Sequence, residues 1–195
     1  STITGTITSA LALTPYSVVI YDGDGQSASV GTGLAQPLRV KVVNSGNVVV
    51  PGANVTFASL TGGGVLTTSQ PSVTNSSGLA SAYVTLGGQI GTNGQTFSAT
   101  ITGSGTTQVI FRVTGTAGAA EKLSFTTSPA GTNQGGSFGT QPAVAVQDHY
   151  GNTVTSDNTT QVTISATPAV GTGTVSGTRT LTAVNGVATY TNLSY

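Results

Sequence analysis

Leu38-Arg39-Val40-Lys41-Val42 decides the fold class. Apolar and charged side chains alternate with period two, so a strand here turns Leu38, Val40 and Val42 inward and Arg39 and Lys41 to water. The same pattern recurs in Val55-Thr56-Phe57, Ala82-Tyr83-Val84-Thr85-Leu86, Phe97-Ser98-Ala99-Thr100-Ile101 and Val109-Ile110-Phe111-Arg112-Val113. Turn formers stand between the runs: Asn44-Ser45-Gly46-Asn47, Pro51-Gly52, Asn75-Ser76-Ser77-Gly78, Gly87-Gly88 and Asn93-Gly94. Short strands broken by turns every ~8–12 residues predict β-sandwiches. Strong helix formers are scarce, and glycine, 28 of 195 residues, interrupts almost every window.

Charged residues are only 5% of the chain, and five Lys+Arg balance five Asp+Glu. That excludes a basic nucleic-acid footprint, a polybasic membrane patch and an acidic tail. No apolar run approaches the ~20 residues of a membrane-spanning helix. Cys, Met and Trp are absent, which removes disulfide, thiolate-metal and cysteine-nucleophile chemistry. With a single histidine, a hydrolase or metalloenzyme constellation is hard to assemble. The expectation is no enzyme and no cofactor. Ser1 opens the chain without a leader-like segment, as a mature form or an excised fragment would.

The pattern runs twice. Residues 116–120 are small and patternless, and read as a linker. Beyond it Glu121-Lys122-Leu123-Ser124-Phe125 starts a new strand. Pro142 to Gln147 then repeats Pro37 to Val42, Asp148-His149-Tyr150-Gly151-Asn152 repeats the Asn44 turn, and Val162-Thr163-Ile164-Ser165 repeats Val55-Thr56-Phe57-Ala58. The hairpin at Asn185-Gly186-Val187-Ala188 matches Ser77-Gly78-Leu79-Ala80, with Asn-Gly favouring a type I′ turn. The expected organisation is all-β: an extended N-terminal strand (1–15), then two tandem immunoglobulin-like β-sandwiches at 16–115 and 121–195. Expected core residues include Leu38, Val40, Val42, Val55, Phe57, Ala82, Val84, Phe97, Ala99, Ile101 and Ile110. In the second copy they are Leu123, Phe125, Val144, Val146, Val162, Ile164, Val187 and Ala188.

Gly23-Asp24-Gly25-Gln26, Val30-Gly31-Thr32, Pro37 to Val42, Gly52 to Phe57 and Asn75 to Ala80 resemble the bacterial immunoglobulin-like (Big) domains of invasin- and intimin-type surface proteins. The second copy is similar to related repeats through Val146-Gln147-Asp148, Gly151-Asn152 and Asn185 to Ala188. The resemblance covers most of residues 16–195 and rests on turn and core positions, so it specifies fold better than function. It implies an extracellular or cell-surface rod used for adhesion, spacing or assembly.

Candidate chemical sites have plain local readings. Asp22 and Asp24 sit in an Asp-Gly-Asp-Gly loop that suits a hard cation, but the next carboxylate in sequence is Glu121, so a polar loop is expected and no metal. His149 beside Asp148 lies in a turn, where Asp and Asn satisfy local backbone groups. Lys122 adjoins Glu121, which points the other way on a strand, so an isopeptide crosslink is not expected. Tyr16, Tyr21, Tyr83, Tyr150, Tyr190 and Tyr195 are scattered, which speaks against the aromatic platform of a carbohydrate-binding accessory module.

Self-assembly is the sharpest expectation. In the first copy two strands, around 96–103 and 108–114, follow the strand after the Asn75–Gly78 turn; in the second, the strand after Asn185-Gly186 is the last. An incomplete sandwich exposes its core and a free strand edge. Residues 2–14 alternate: Ile3, Ile7, Leu11 and Leu13 on one face, Thr2, Thr4, Thr6, Thr8 and Thr14 on the other. Thr2-Ile3-Thr4-Gly5 also resembles Thr100-Ile101-Thr102-Gly103, within the strands the second copy lacks. The expected partner is therefore the chain itself, with residues 1–14 of one subunit completing the next by donor-strand complementation into an extracellular filament. The alternatives are a spacer or stalk repeat of a large bacterial adhesin or surface-layer protein, packed against adjacent immunoglobulin-like repeats, and a carbohydrate-binding accessory module with host or cell-surface glycans as partners.

Overall fold

A computed structural model describes residues 13–101, 108–131, 135–166 and 173–195. Among them every helix or strand is a strand. They fall into two compact units, the first holding 13–28 and Thr32–Gly115, the second Ser29–Gly31 and the described part of Thr116–Tyr195.

Unit 1 is built from β1 (Ser17–Asp22), β2 (Ser27–Ser29), β3 (Leu38–Val43), β4 (Asn54–Thr61), β5 (Val65–Leu66), β6 (Ser72–Val73), β7 (Leu79–Ala82), β8 (Val84–Thr85), β9 (Gly91–Ile101) and β10 (Gln108–Thr116). One sheet has the order β1-β3-β7, the other β2-β10-β9-β4-β6, and β5 pairs with β8. This is an immunoglobulin-like sandwich. Leu38, Val40 and Val42 of β3, Val55 and Phe57 of β4, and Phe97, Ala99 and Ile101 of β9 all enter its core. Each large apolar side chain buried there contributes ~1.5–3 kcal/mol.

One strand is inverted relative to expectation. Phe111 and Val113 of β10 are in the core, and Ile110 is not. Ile110 shares a face with Arg112, so keeping that charge in water turns its neighbours inward.

Unit 2 is built from β11 (Lys122–Thr127), β12 (Ala143–Gln147), β13 (Gln161–Thr163), β14 (Thr180–Thr182) and β15 (Val187–Thr189). Its sheets are β11-β12-β15 and β13-β14. Val144, Val146, Val162, Ala188, Tyr190 and Leu193 form the core. Val187, expected inside with Ala188, is only partly buried, because adjacent strand residues face opposite ways.

One turn device recurs. Asn44 Oδ1 accepts from the N–H groups of Gly46 and Val48, Asn75 Oδ1 from Ser77 and Leu79, and Asp148 Oδ1 from Tyr150 and Asn152, all at 2.9–3.1 Å. Asn185 (φ 49°) and Gly186 (φ 76°) both lie in the left-handed region, as a type I′ turn requires. A Cβ on Gly186 would lie 2.5 Å from the Val154 carbonyl oxygen.

Candidate functional site

The two units share a strand frame that allows residue-by-residue comparison. In unit 1, Val18 stands opposite Val42 and Ile20 opposite Val40, with a bulge before Asp22. In unit 2, Leu123 stands opposite Val146 and Phe125 opposite Val144, with a bulge before Thr127. Val40 pairs with Ala80, and Val144 with Ala188. So β11, β12 and β15 repeat β1, β3 and β7.

The second sheet repeats only in part. The Thr74 N–H donates to the Ala53 carbonyl between β6 and β4, and the Ala183 N–H donates to the Thr160 carbonyl between β14 and β13. Hence β13 and β14 repeat β4 and β6, with Val162 at the place of Val55 and Ile164 at that of Phe57. In unit 1 the other edge of β4 pairs with β9 along its length. Among the described residues of unit 2, nothing repeats β9 or β10, and no strand pairs with the other edge of β13.

An open groove is the result. Leu123, Ser124, Phe125, Val144, Val162, Thr163, Ile164 and Ser165 line a cavity of about 230 Å³. Val18 is 2% exposed in unit 1, whereas its counterpart Leu123 is 52% exposed, and so is Phe125. Alternation along the strand predicts both in the core. Their side chains do face the core side of β11, but no described strand covers them.

The edge of β13 is chemically equipped as well. Backbone groups alternate sides along an antiparallel strand. Thr160 and Ile164 bond toward the β14 side. Gln161 and Thr163 therefore direct their N–H and C=O groups toward the open edge. The groove thus offers main-chain hydrogen-bonding groups along one side and an apolar floor beneath, the two features that an extended peptide uses in strand addition.

The other sequence candidates are engaged in holding the fold. Asp22 forms a two-pronged ion pair with Arg39, whose Nε donates to Oδ1 at 2.7 Å and whose Nη2 donates to Oδ2. Asp24 Oδ1 accepts the Arg112 backbone N–H at 2.7 Å. The two carboxylates thus serve separate strands, and no cluster of three metal-ligating side chains occurs among the described residues.

Asp148 is buried and accepts from the N–H groups of Gly118, Tyr150 and Asn152 and from the Asn152 side chain. Burial pushes its pKa up, but those hydrogen bonds outweigh it and hold the carboxyl below the ordinary range. His149 is exposed, 3.1 Å from Glu121 Oε1. Lys122 Nζ donates to the His149 carbonyl, at 2.9 Å.

Tyr21 holds the Arg39 guanidinium 5.3 Å from its ring centre, Tyr16, Tyr83 and Tyr150 are exposed, and Tyr190 is buried.

No protein-family model matches the chain, and no curated protein matches it in sequence. Among solved structures, it is similar to FdeC, an adhesin of Escherichia coli, at 16% identity and a TM-score of 0.48, over 89% of this chain and 55% of that one. It is similar to domains 4–9 of the surface-layer protein SbsC at 15% identity and 0.40, over 80% and 26%. InvE, an adhesin of Yersinia pseudotuberculosis, gives 22% and 0.41, over 84% and 47%. The chain spans about half of each adhesin structure and a quarter of the surface-layer one.

Of the anticipated assembly residues, Ile3, Ile7 and Leu11 lie outside the described residues; Leu13 is 39% exposed. The groove residues carried no distinct signal of their own: their alternation matches that of a covered strand.

Proposed function

We propose that this chain is a non-enzymatic structural subunit of an extracellular, cell-surface assembly of Big-type domains, joined head to tail by donor-strand complementation. The observation that carries this reading is the groove between β11 and β13, with Leu123 and Phe125 half exposed on its floor. A soluble sandwich gains by covering such a floor, at ~25 cal/mol per Å² of apolar surface removed from water. The N-terminal segment has the matching character: Ile3, Ile7, Leu11 and Leu13 on one face and threonines on the other. A donor on one unit and an acceptor on the other make a heterologous contact, and such contacts propagate into filaments when rotation does not close them. The near absence of charge leaves little repulsion between subunits.

The same groove supports a second reading, in which this is a stalk repeat and a neighbouring segment of a longer polypeptide fills it. Self-association separates the two. The full chain is expected to form long polymers, seen by sedimentation and electron microscopy, and a variant lacking residues 1–14 is expected to stay monomeric. Polymers that persist without residues 1–14 would overturn the donor-strand reading; a full chain that stays monomeric at high concentration would favour the stalk.

A further inference from the structure

Resting on that reading, we infer the register in which the second copy enters: antiparallel to β13, with Ile7 opposite Val162, Gly5 opposite Ile164 and Ile3 opposite Ala166. The template is unit 1. There the covering strand β9 sets Ile101 opposite Val55, Ala99 opposite Phe57 and Phe97 opposite Ser59. All three β9 side chains are buried, in the order large, small, large. Residues 1–14 contain that order with polar residues between, in Ile3-Thr4-Gly5-Thr6-Ile7.

Volume favours this segment. The floor of unit 2 is bulkier than that of unit 1: Leu123 replaces Val18, Phe125 replaces Ile20, and buried Tyr190 replaces Ala82. Ile164 for Phe57 and Pro142 for Leu38 offset this only in part. A tighter floor demands a slimmer covering strand, because interiors are close-packed and tolerate little excess volume. Ile3 for Phe97 and Gly5 for Ala99 supply the reduction.

Two other registers fare worse. Aligning Thr2-Ile3-Thr4-Gly5 on Thr100-Ile101-Thr102-Gly103 puts Ile3 opposite Val162, so Ile7 passes beyond the end of β13 and only Ser1 reaches Ile164. Aligning Ile7-Ser9-Leu11 on the large-small-large order sets the Ser9 hydroxyl against Ile164 over an apolar floor, where it would lose its water without a partner.

The chain has no cysteine, so the register can be read by disulfide trapping in the full-length assembly. Thr163 is the counterpart of Thr56, which pairs with Thr100 in unit 1. Thr163→Cys is combined in turn with Thr2→Cys, Thr4→Cys, Thr6→Cys, Thr8→Cys and Ala10→Cys. Antiparallel partners in such a pair stand ~5.5 Å apart at Cα, within disulfide reach. Oxidation should give covalent ladders most completely with Thr6→Cys. Ladders strongest with Thr2→Cys or Ala10→Cys would establish one of the rival registers and overturn this one. Polymers that need residues 1–14 yet give no ladder with any pair would overturn the β13 register and leave the donor-strand reading standing. If polymerisation is indifferent to residues 1–14, the reading itself falls.

A second variant tests the packing without cysteines. Gly5→Leu should weaken polymerisation roughly tenfold or more, and Ser9→Leu should change it less than about twofold. The reverse order would sink the register.

Discussion

The hydroxyl of Tyr190 donates a hydrogen bond of 2.7 Å to the carbonyl oxygen of Val162. It crosses the interior of unit 2 and ties the residue after β15 to the strand whose outer edge is open. Tyr190 is 1% exposed and the largest fully buried side chain described. The bond braces β13 from inside unit 2. Tyr190→Phe keeps the ring and removes the donor. The expected cost is about 0.5–1.5 kcal/mol of unit 2 stability, measured by denaturant unfolding, with unit 1 unchanged.

Phe125 and Phe57 should respond differently to truncation. Phe57 is 2% exposed and packs near Phe111, with ring centres 6.4 Å apart. Phe57→Ala should cost about 3–5 kcal/mol. Phe125 is half exposed, so Phe125→Ser should change the stability of the isolated subunit by less than about 1 kcal/mol. The same change should reduce polymerisation more than about tenfold, because it removes apolar floor that burial on assembly would use. Equal losses of subunit stability for the two variants would contradict the open groove.

Acid should weaken unit 2. The Asp157 carboxylate accepts from the Thr160 hydroxyl at 2.5 Å and from the N–H groups of Thr159 and Thr160, each at 2.9 Å. These bonds lower its pKa to about 2. An unfolded aspartate titrates near ~3.9. A depressed folded value gives stability that is fully present above the unfolded pKa and is lost as pH falls through the folded one. Unit 2 should therefore lose stability between about pH 5 and pH 2. Asp148, likewise lowered, acts in the same direction. Asp157→Ala should flatten that limb of the stability–pH curve; an unaltered limb would show that the carboxylate is not its source.

Salt should matter little. Five cations and five anions are spread over 195 residues, and Arg39 and Asp22 already neutralise each other. With so few charges to screen, polymerisation should change less than about twofold between ~10 mM and ~0.5 M salt. A severalfold change would mean that ion pairs, and not an apolar floor, hold subunits together.

How much of this was legible in the sequence follows from where the information lies. Leu38, Val40 and Val42 announce their face because Arg39 and Lys41 interrupt them. Val109-Ile110-Phe111 carries no such break, and Arg112 alone sets the parity that puts Phe111 inside. Asn185-Gly186 reveals its turn because few other pairs tolerate two left-handed residues in a row. Leu123 and Phe125 follow the same rule as Val18 and Ile20. Whether they are covered depends on strands distant in sequence, so local pattern places them in the core and only the assembled sheets show them open. In the sequence, Tyr190 is one of several scattered tyrosines. Its burial depends on occupying the place that Ala82 holds in unit 1, which alternation alone does not reveal.

Hydrogen exchange at the Gln161 and Thr163 amides tests the central claim most directly. Both N–H groups face the open edge of β13, so in the free subunit they should exchange quickly. On assembly of the full chain they should become protected to the degree of paired strand amides, and removing residues 1–14 should abolish that protection. Polymers in which these two amides exchange as fast as in the free subunit would contradict the account, because the groove would then have received no strand.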